Sequence, residues 1–330
     1  MTGDILLDVR DLHVWFELNR GGELHAVRGI SLRLKRGERM GLVGESGCGK
    51  TTAILALMGL LPSSASVAGQ VRLDGEDIMA GGERTVRPHR WRDVAMVFQG
   101  AMNAFNPVKS IAAQIAEPMR LHGTLPARAT RARVGELLEL VGIPPARAGG
   151  YPHEFSGGMR QRAAIAMALA CSPKVLLADE PTTALDVMVQ AQILELLRDL
   201  TDQLGLAMIF VSHDLAAVTQ VCSRVGVMYA GELAEEGPAA ELYRDPRHPY
   251  TRLLFAATPD LRGARAAVSI PGAPPRLDRP IIGCAFAPRC DRAFGPCTGQ
   301  RPVFKEVAPG RFAACHLNEV AALPRPAAPP

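Results

Sequence analysis

An α/β fold is predicted by three observations: short apolar runs alternate with helical patterns, one run opens into a glycine-rich loop ahead of an apolar helix, and two others end at acidic or histidine residues. The 330 residues are 48% hydrophobic and 21% charged, enough for a sizeable core and unlike a disordered or fibrous chain. Against 37 basic residues stand 33 acidic ones, a net charge of +4, with no long run of Lys and Arg, so duplex nucleic acid is not an expected partner. The most apolar stretches, 53–61 and 163–171, reach about half of the ~20 residues that a membrane-spanning helix needs. The N-terminus lacks the basic-then-apolar pattern of a secretion leader, which predicts a cytoplasmic protein whose seven cysteines are not a disulfide framework.

Taken in order, residues 6–16 and 30–34 read as strands with polar alternation, and 40–43 as a short buried strand running into the glycine loop. A small antiparallel sheet should therefore flank a nucleotide core. From 106 to 150 the pattern is helical, rich in Arg, Ala and Leu, and reads as a helical insert. Residues 175–178 and 207–211 are apolar strands ending at Asp179-Glu180 and near His213, as at the carboxyl edge of a parallel sheet, where such folds place their ligands. Past Gly231 prolines, aromatics and cysteines collect. The expected organisation is a nucleotide-binding domain over 1–240 with a helical subdomain at about 100–170, a C-terminal appendage over 241–320, and a disordered tail over 321–330. No internal repeat is present.

Gly44-Glu45-Ser46-Gly47-Cys48-Gly49-Lys50-Thr51 fits G-x-x-x-x-G-K-[ST], followed by Thr52 and placed between a strand and a helix. A chance glycine turn would lack that context. The glycines let backbone N–H groups turn inward as an anion nest, and the helix adds its positive end. Lys50 would reach the β- and γ-phosphates of a nucleotide and Thr51 would bind Mg²⁺, while Cys48 fills a variable position.

Residues 175–178 deliver two adjacent carboxylates, Asp179 and Glu180. A surface acidic pair is the plain alternative. Beside a phosphate loop, however, Asp179 suits the Mg²⁺ shell and Glu180 suits polarisation of an attacking water, which points to hydrolysis.

Between these elements lies Phe155-Ser156-Gly157-Gly158-Met159-Arg160-Gln161-Arg162, followed at once by an apolar helix. This segment resembles the signature motif of ABC ATPases. The order around it resembles that family too: Gln99 after an apolar strand, Ala184-Leu185-Asp186 after the acids, then His213. The resemblance covers about residues 5–240 and implies a P-loop NTPase (ABC ATPase) core with an antiparallel β subdomain and a helical subdomain. It implies ATP and Mg²⁺ as cofactors, with Phe16 stacking on adenine and Ser156, Gly157 and Gly158 facing the γ-phosphate held by a partner subunit. Gln99 would sense Mg²⁺ and the attacking water, Asp186 would link the two sites of a dimer, and His213 would contact the γ-phosphate. Trp15 adjoins Phe16 and competes for its role. Such ATPases dock a membrane subunit on the helical insert, and residues 102–107 are the expected contact loop.

Glu235-Glu236-Gly237 and Arg244-Asp245-Pro246-Arg247-His248-Pro249-Tyr250-Thr251 are similar to the tail of oligopeptide and dipeptide importer ATPases, as are the segments around Pro271-Gly272, Gly283 to Cys290, Cys297 and Cys315-His316-Leu317. The resemblance implies peptide import at the cytoplasmic face of the inner membrane. The implied partners are two permease subunits, a second ATPase chain in a heterodimer and an extracytoplasmic binding protein. An importer of another small solute, or a non-transport ABC ATPase, is the alternative. The latter usually carries tandem cassettes or a long coiled-coil insertion, neither of which is present.

Cys284, Cys290, Cys297 and Cys315 lie within 32 positions, a donor set suited to a tetrahedral metal or an iron–sulfur cluster. Their spacing, C-x5-C-x6-C-x17-C, lacks the C-x2-C pairs of common zinc ribbons. A structural [4Fe–4S] cluster is expected, with Zn²⁺ and His316 as a spare ligand, or unliganded thiols, as alternatives.

Overall fold

The computed structural model describes residues 4–18, 21–100, 104–123, 125–257 and 269–319. The tail over 321–330, and Met102 and Asn103 of the expected contact loop, lie outside the described residues. The elements in chain order are β1 (Ile5–Glu17), β2 (Glu23–Lys35), β3 (Arg39–Val43), α1 (Lys50–Leu57), β4 (Ala65–Leu73), β5 (Glu76–Asp77), α2 (Glu83–Val86), β6 (Val94–Val97), α3 (Ile111–Leu121), α4 (Ala127–Leu140), α5 (Gly157–Ala168), β7 (Val175–Asp179), α6 (Val187–Leu204), β8 (Ala207–Val211), α7 (Leu215–Val221), β9 (Arg224–Tyr229), β10 (Glu232–Pro238), α8 (Ala239–Arg244), α9 (Pro249–Ala257), β11 (Lys305–Ala308) and β12 (Arg311–Ala313). They form two compact units, each assembled from separate segments of chain: Met1–Leu6, Leu34–Arg39 and Leu73–Val211 in the first, and Leu7–Arg33, Met40–Arg72 and Ser212–Pro330 in the second.

In the first unit β6, β7 and β8 run parallel, with Val97 opposite Ala178 and Asp179 opposite Val211. Every residue of β7 and β8 is buried. Their unbroken apolar sequence is what a parallel strand covered on both faces requires. Helices α3, α4 and α5 pack on one another, matching the helical insert read from sequence. Three polar residues start helices here by accepting first-turn N–H groups: Ser110 from Ala113 at α3, Ser156 from Met159 at α5 and Asp186 from Val189 at α6.

In the second unit β1 and β2 are sheet neighbours joined by a connection too short for a crossover, hence a hairpin, and β4 lies on the other side of β1. β2 begins at Glu23 rather than near residue 30. Its first half, Glu-Leu-His-Ala-Val-Arg-Gly, carries no clean alternation and is held by pairing rather than by pattern. β1 also departs from alternation, since Leu6, Leu7, Asp8 and Val9 are all buried. Asp8 is tolerated there because Arg10 grips it at 2.6 Å and Arg33 at 3.4 Å. These guanidinium partners hold its carboxyl below the usual carboxylate range against the upward pull of burial.

β3 runs parallel to β9, which pairs antiparallel with β10. β12 then pairs with β10 at Glu235 opposite Ala313, and β11 pairs with β12. The proline- and cysteine-rich C-terminal sequence therefore continues the sheet that carries the glycine loop. Among the described residues no helix is long and apolar enough to cross a membrane.

Candidate functional site

The glycine loop belongs to the second unit. The buried strand β3 delivers Gly44, whose φ is 150 and where an added Cβ would stand 2.2 Å from the Met228 carbonyl oxygen. Gly49, with φ 103, precedes helix α1, and a Cβ there would stand 2.5 Å from the Ala26 carbonyl oxygen. Only glycine fits such backbone-to-backbone approaches. Helix α1 starts without a side-chain cap, and a helix start is where backbone N–H groups and the positive helix end can receive an anion.

Lys50 is 6% exposed, and its ammonium group donates to the carbonyls of Gly44 at 2.7 Å and Glu45 at 3.0 Å. It is thereby folded back along the loop, with the Cys48 sulfur 3.6 Å away. Cys48 is buried, which pushes its thiol up and keeps it neutral beside the lysine. Thr51 is exposed, Thr52 and Ser46 are partly or fully exposed, and Gly47 (φ 77) has open space where a Cβ would stand.

Glu45 is held at both its backbone and its side chain within the same unit. Its backbone N–H donates to the Tyr250 hydroxyl at 2.9 Å, so that N–H does not point into the nest. Its carboxylate receives a two-pronged grip from Arg289, at 2.6 and 2.9 Å. Neither Tyr250 nor Arg289 was assigned a role from sequence, although both lie in segments that resembled the importer tail. A variable loop position carrying an acid, with an arginine directly before Cys290, was the available signal.

Two aromatic candidates sit on β1. The Trp15 ring stacks on His25 at 4.6 Å and on His13 at 5.2 Å. Phe16 is half-buried on the opposite face of the strand, the face that also carries buried Leu12 and Val14. The pair is thus separated: Trp15 is engaged by two histidines, and Phe16 is the candidate for a ring-stacking role. His213 is exposed, between buried Ser212 and Asp214, whose carboxylate caps α7 through Ala216 and Ala217.

In the first unit the parallel register puts two expected residues side by side. Val97 is opposite Ala178, so two residues further on Gln99 is level with Glu180. The Gln99 amide donates to the Glu180 carboxylate at 2.9 Å, and the Thr183 hydroxyl donates to the same oxygen at 3.0 Å. Asp179, 1% exposed, is the last residue of β7. Glu180 adopts φ 43 and Ala184 φ 65, both left-handed values that non-glycine residues hold only when their surroundings demand it.

The Ser156 hydroxyl caps α5 by accepting from Met159 N–H at 3.3 Å. Gly157 opens the helix, and Gly158 lies where a Cβ would be 2.7 Å from a Val189 methyl. Asp186 caps α6 three residues before Val189. The Ser-Gly-Gly helix start and the Asp186 helix start are therefore packed together, with Gly158 set by steric contact.

The four C-terminal cysteines share one neighbourhood: Cys315 feels the charges of Cys284, Cys290 and Cys297, and the Cys284 N–H donates to the Cys297 carbonyl at 2.8 Å. Burial pushes the Cys284 thiol to about 11 and Cys315 to about 12, and raises Cys290. Among the described residues no three His, Cys, Asp or Glu side chains stand together as a ligand set. His316 bonds through Nε2 to the Gln300 carbonyl at 2.9 Å and through Nδ1 to Glu319 at 3.4 Å.

Comparisons with known proteins agree with the geometry. Residues 27–183 match the family described as ABC transporter, and residues 234–297 match the oligopeptide/dipeptide transporter C-terminal region. The oligopeptide transport ATP-binding protein OppD of Bacillus subtilis is 44% identical, over 92% of this chain and 86% of its own. The dipeptide transport ATP-binding protein DppD of the same organism is 45% identical over 88% of each chain, and OppD of Salmonella typhimurium is 43% identical over 94% and 93%. Among solved structures, cbiO1 of Clostridium perfringens, part of an ABC transporter complex, is 31% identical, with a TM-score of 0.62 over 73% of this chain and 92% of its own.

Proposed function

The chain belongs to the ABC transporter ATP-binding family, and from that premise we propose that it hydrolyses ATP to drive import of dipeptides or oligopeptides through a membrane complex. The carrying observation is joint: a glycine loop running into a helix that has no side-chain cap, on the same chain as a C-terminal region of oligopeptide/dipeptide transporter type.

Each residue keeps the role expected of it. The loop of residues 44–52 holds the phosphates, Lys50 neutralises them and Thr51 ligates Mg²⁺. Asp179 holds the Mg²⁺ shell, and Glu180, oriented by Gln99, polarises the attacking water. Phe16 stacks on adenine, His213 contacts the γ-phosphate, and Ser156, Gly157, Gly158 and Asp186 serve the partner's nucleotide. The ATPase domain is placed at 1–240 with its helical subdomain at about 100–170, and the appendage at 241–320. The partners are two permease subunits, contacted through residues 102–107, a second ATPase chain and an extracytoplasmic binding protein. The place of work is the cytoplasmic face of the inner membrane.

For the appendage the reading is a structural [4Fe–4S] cluster on Cys284, Cys290, Cys297 and Cys315. Its support is the donor chemistry and the shared neighbourhood of the four thiols. About four irons per chain in protein purified without air would uphold it, and zinc or no metal would end it.

The test of the main reading has two arms. Purified protein should release phosphate from ATP in the presence of Mg²⁺, and Lys50→Ala should abolish this. Cells lacking the gene should lose uptake of a labelled dipeptide or oligopeptide. Intact uptake in those cells, with ATP hydrolysis confirmed, would redirect the assignment to another solute or to a role outside transport.

A further inference from the structure

Arg289 lies in the C-terminal region, 244 residues along the chain from Glu45, and is 7% exposed. Five groups surround its guanidinium. Glu45 takes both terminal nitrogens; Nε donates to the Pro271 carbonyl at 2.8 Å, Nη1 to the Tyr229 hydroxyl at 3.2 Å, and Nη2 to the Ile270 carbonyl at 3.5 Å. The rings of Tyr229 and Phe286 lie 5.7 and 5.9 Å from its central carbon. Such a fork–fork pair fixes the orientation of both planes, which a lysine's point charge does not do.

The strand that carries the loop supplies none of these groups. Tyr229 ends β9, and Tyr250 opens α9, whose entry is pinned at Glu235: that wholly buried carboxylate accepts from the N–H groups of Arg247 at 2.7 Å and His248 at 2.9 Å. Glu45 is thus tied by its backbone to Tyr250 and by its side chain to Arg289. The adjacent carbonyls of Gly44 and Glu45 are the ones that hold Lys50.

We propose that Arg289 is a positioning residue for the phosphate loop: by clamping Glu45 it holds the loop in the shape that receives nucleotide phosphates, so that the C-terminal region sets ATP affinity. The inference rests on the ATP-binding reading above. Arg289 acts through Glu45. A loop left free to sample other shapes must be ordered by the ligand, and that cost appears as weaker binding. The rate at saturating ATP is set elsewhere and should change little.

The test measures the Kd of a fluorescent ATP analogue with Mg²⁺ and the kcat and KM for ATP, in the full chain. Wild type and Lys50→Ala come first: no binding by the wild type would overturn the ATP-binding reading itself. Given wild-type binding, Arg289→Met should raise Kd and KM about tenfold with kcat within about twofold, and Arg289→Lys should recover only part of the loss. Glu45→Ala should do the same as Arg289→Met. The double variant should be no worse than either single one, because both remove one interaction. If Arg289→Met does not fold, Glu45→Ala, which changes a partly exposed side chain, carries the test. Wild-type Kd in either folded single variant, or effects that multiply in the double variant, would overturn the proposal. A lowered melting temperature with an unchanged Kd would mean a purely structural pair and would overturn it too.

Discussion

The Gln99 amide donates a hydrogen bond to the Glu180 carboxylate at 2.9 Å, across adjacent parallel strands whose register makes the two residues level. Asp179 ends its strand buried, whereas Glu180 leaves it with φ 43, turning the second acid away from the first. Two neighbouring carboxylates thereby acquire different surroundings, which is what separate duties toward Mg²⁺ and water require.

Glu180→Gln removes the charge and preserves the shape. ATP binding should persist, phosphate release should fall by roughly 10²–10⁴-fold, and the protein should be trapped with ATP as a closed dimer. Nucleotide titration, phosphate release and size-exclusion chromatography with ATP check this. Wild-type turnover in the variant would remove Glu180 from the mechanism.

The loop glycines should separate by what surrounds them. Gly44→Ala drives a methyl into the Met228 carbonyl at 2.2 Å, and the variant should lose both a normal melting transition and nucleotide binding. At Gly47 (φ 77) the methyl meets open space, so only the left-handed backbone is penalised, by about 1–2 kcal/mol. Gly47→Ala should remain folded while binding ATP more weakly. Equal melting curves for the two would contradict the packing around Gly44.

Gly158 owes its place to Val189, whose methyl would stand 2.7 Å from an added Cβ. Gly158→Ala should destabilise the protein by roughly 1–3 kcal/mol, as overpacking does. Val189→Ala in the same chain should restore most of the loss. Failure of that rescue in thermal melts would mean that the glycine is needed for its backbone and not for its contact with α6.

The motifs with the strongest local chemistry were legible because the physics acts within a few residues. A glycine nest, a buried strand ending in two acids and a Ser-Gly-Gly helix start need only their neighbours. Strand boundaries were less legible at β2, where pairing overrides pattern, and in β10, β11 and β12, where proline and cysteine obscured short strands. The grip of Arg289 on Glu45 was invisible because it joins residues 244 positions apart. The four cysteines show the converse: spacing marks them as a group, and folding gathers them into one neighbourhood.

His248 sets the acid limit of the C-terminal region. Its ring is 4% exposed, and Nδ1 accepts the Tyr250 N–H at 3.0 Å. Burial pushes its pKa down to about 4, below the ordinary 6.5. The unfolded chain therefore binds the proton first. The imidazole's contribution to stability is complete above 6.5 and is lost as pH falls from there to about 4, by at most about 1.4 kcal/mol per pH unit. Glu235 acts in the opposite sense: burial raises its pKa, so the folded state holds that proton more tightly than the unfolded chain and its contribution to stability falls as pH rises. Comparing wild type with His248→Asn, whose side-chain oxygen still accepts the Tyr250 N–H, isolates the histidine. The variant should lose less stability than wild type between pH 6.5 and pH 5 in denaturant titrations. Parallel curves for the two proteins would mean that His248 is charged in the folded state, and the neutral acceptor at Tyr250 would have to be abandoned.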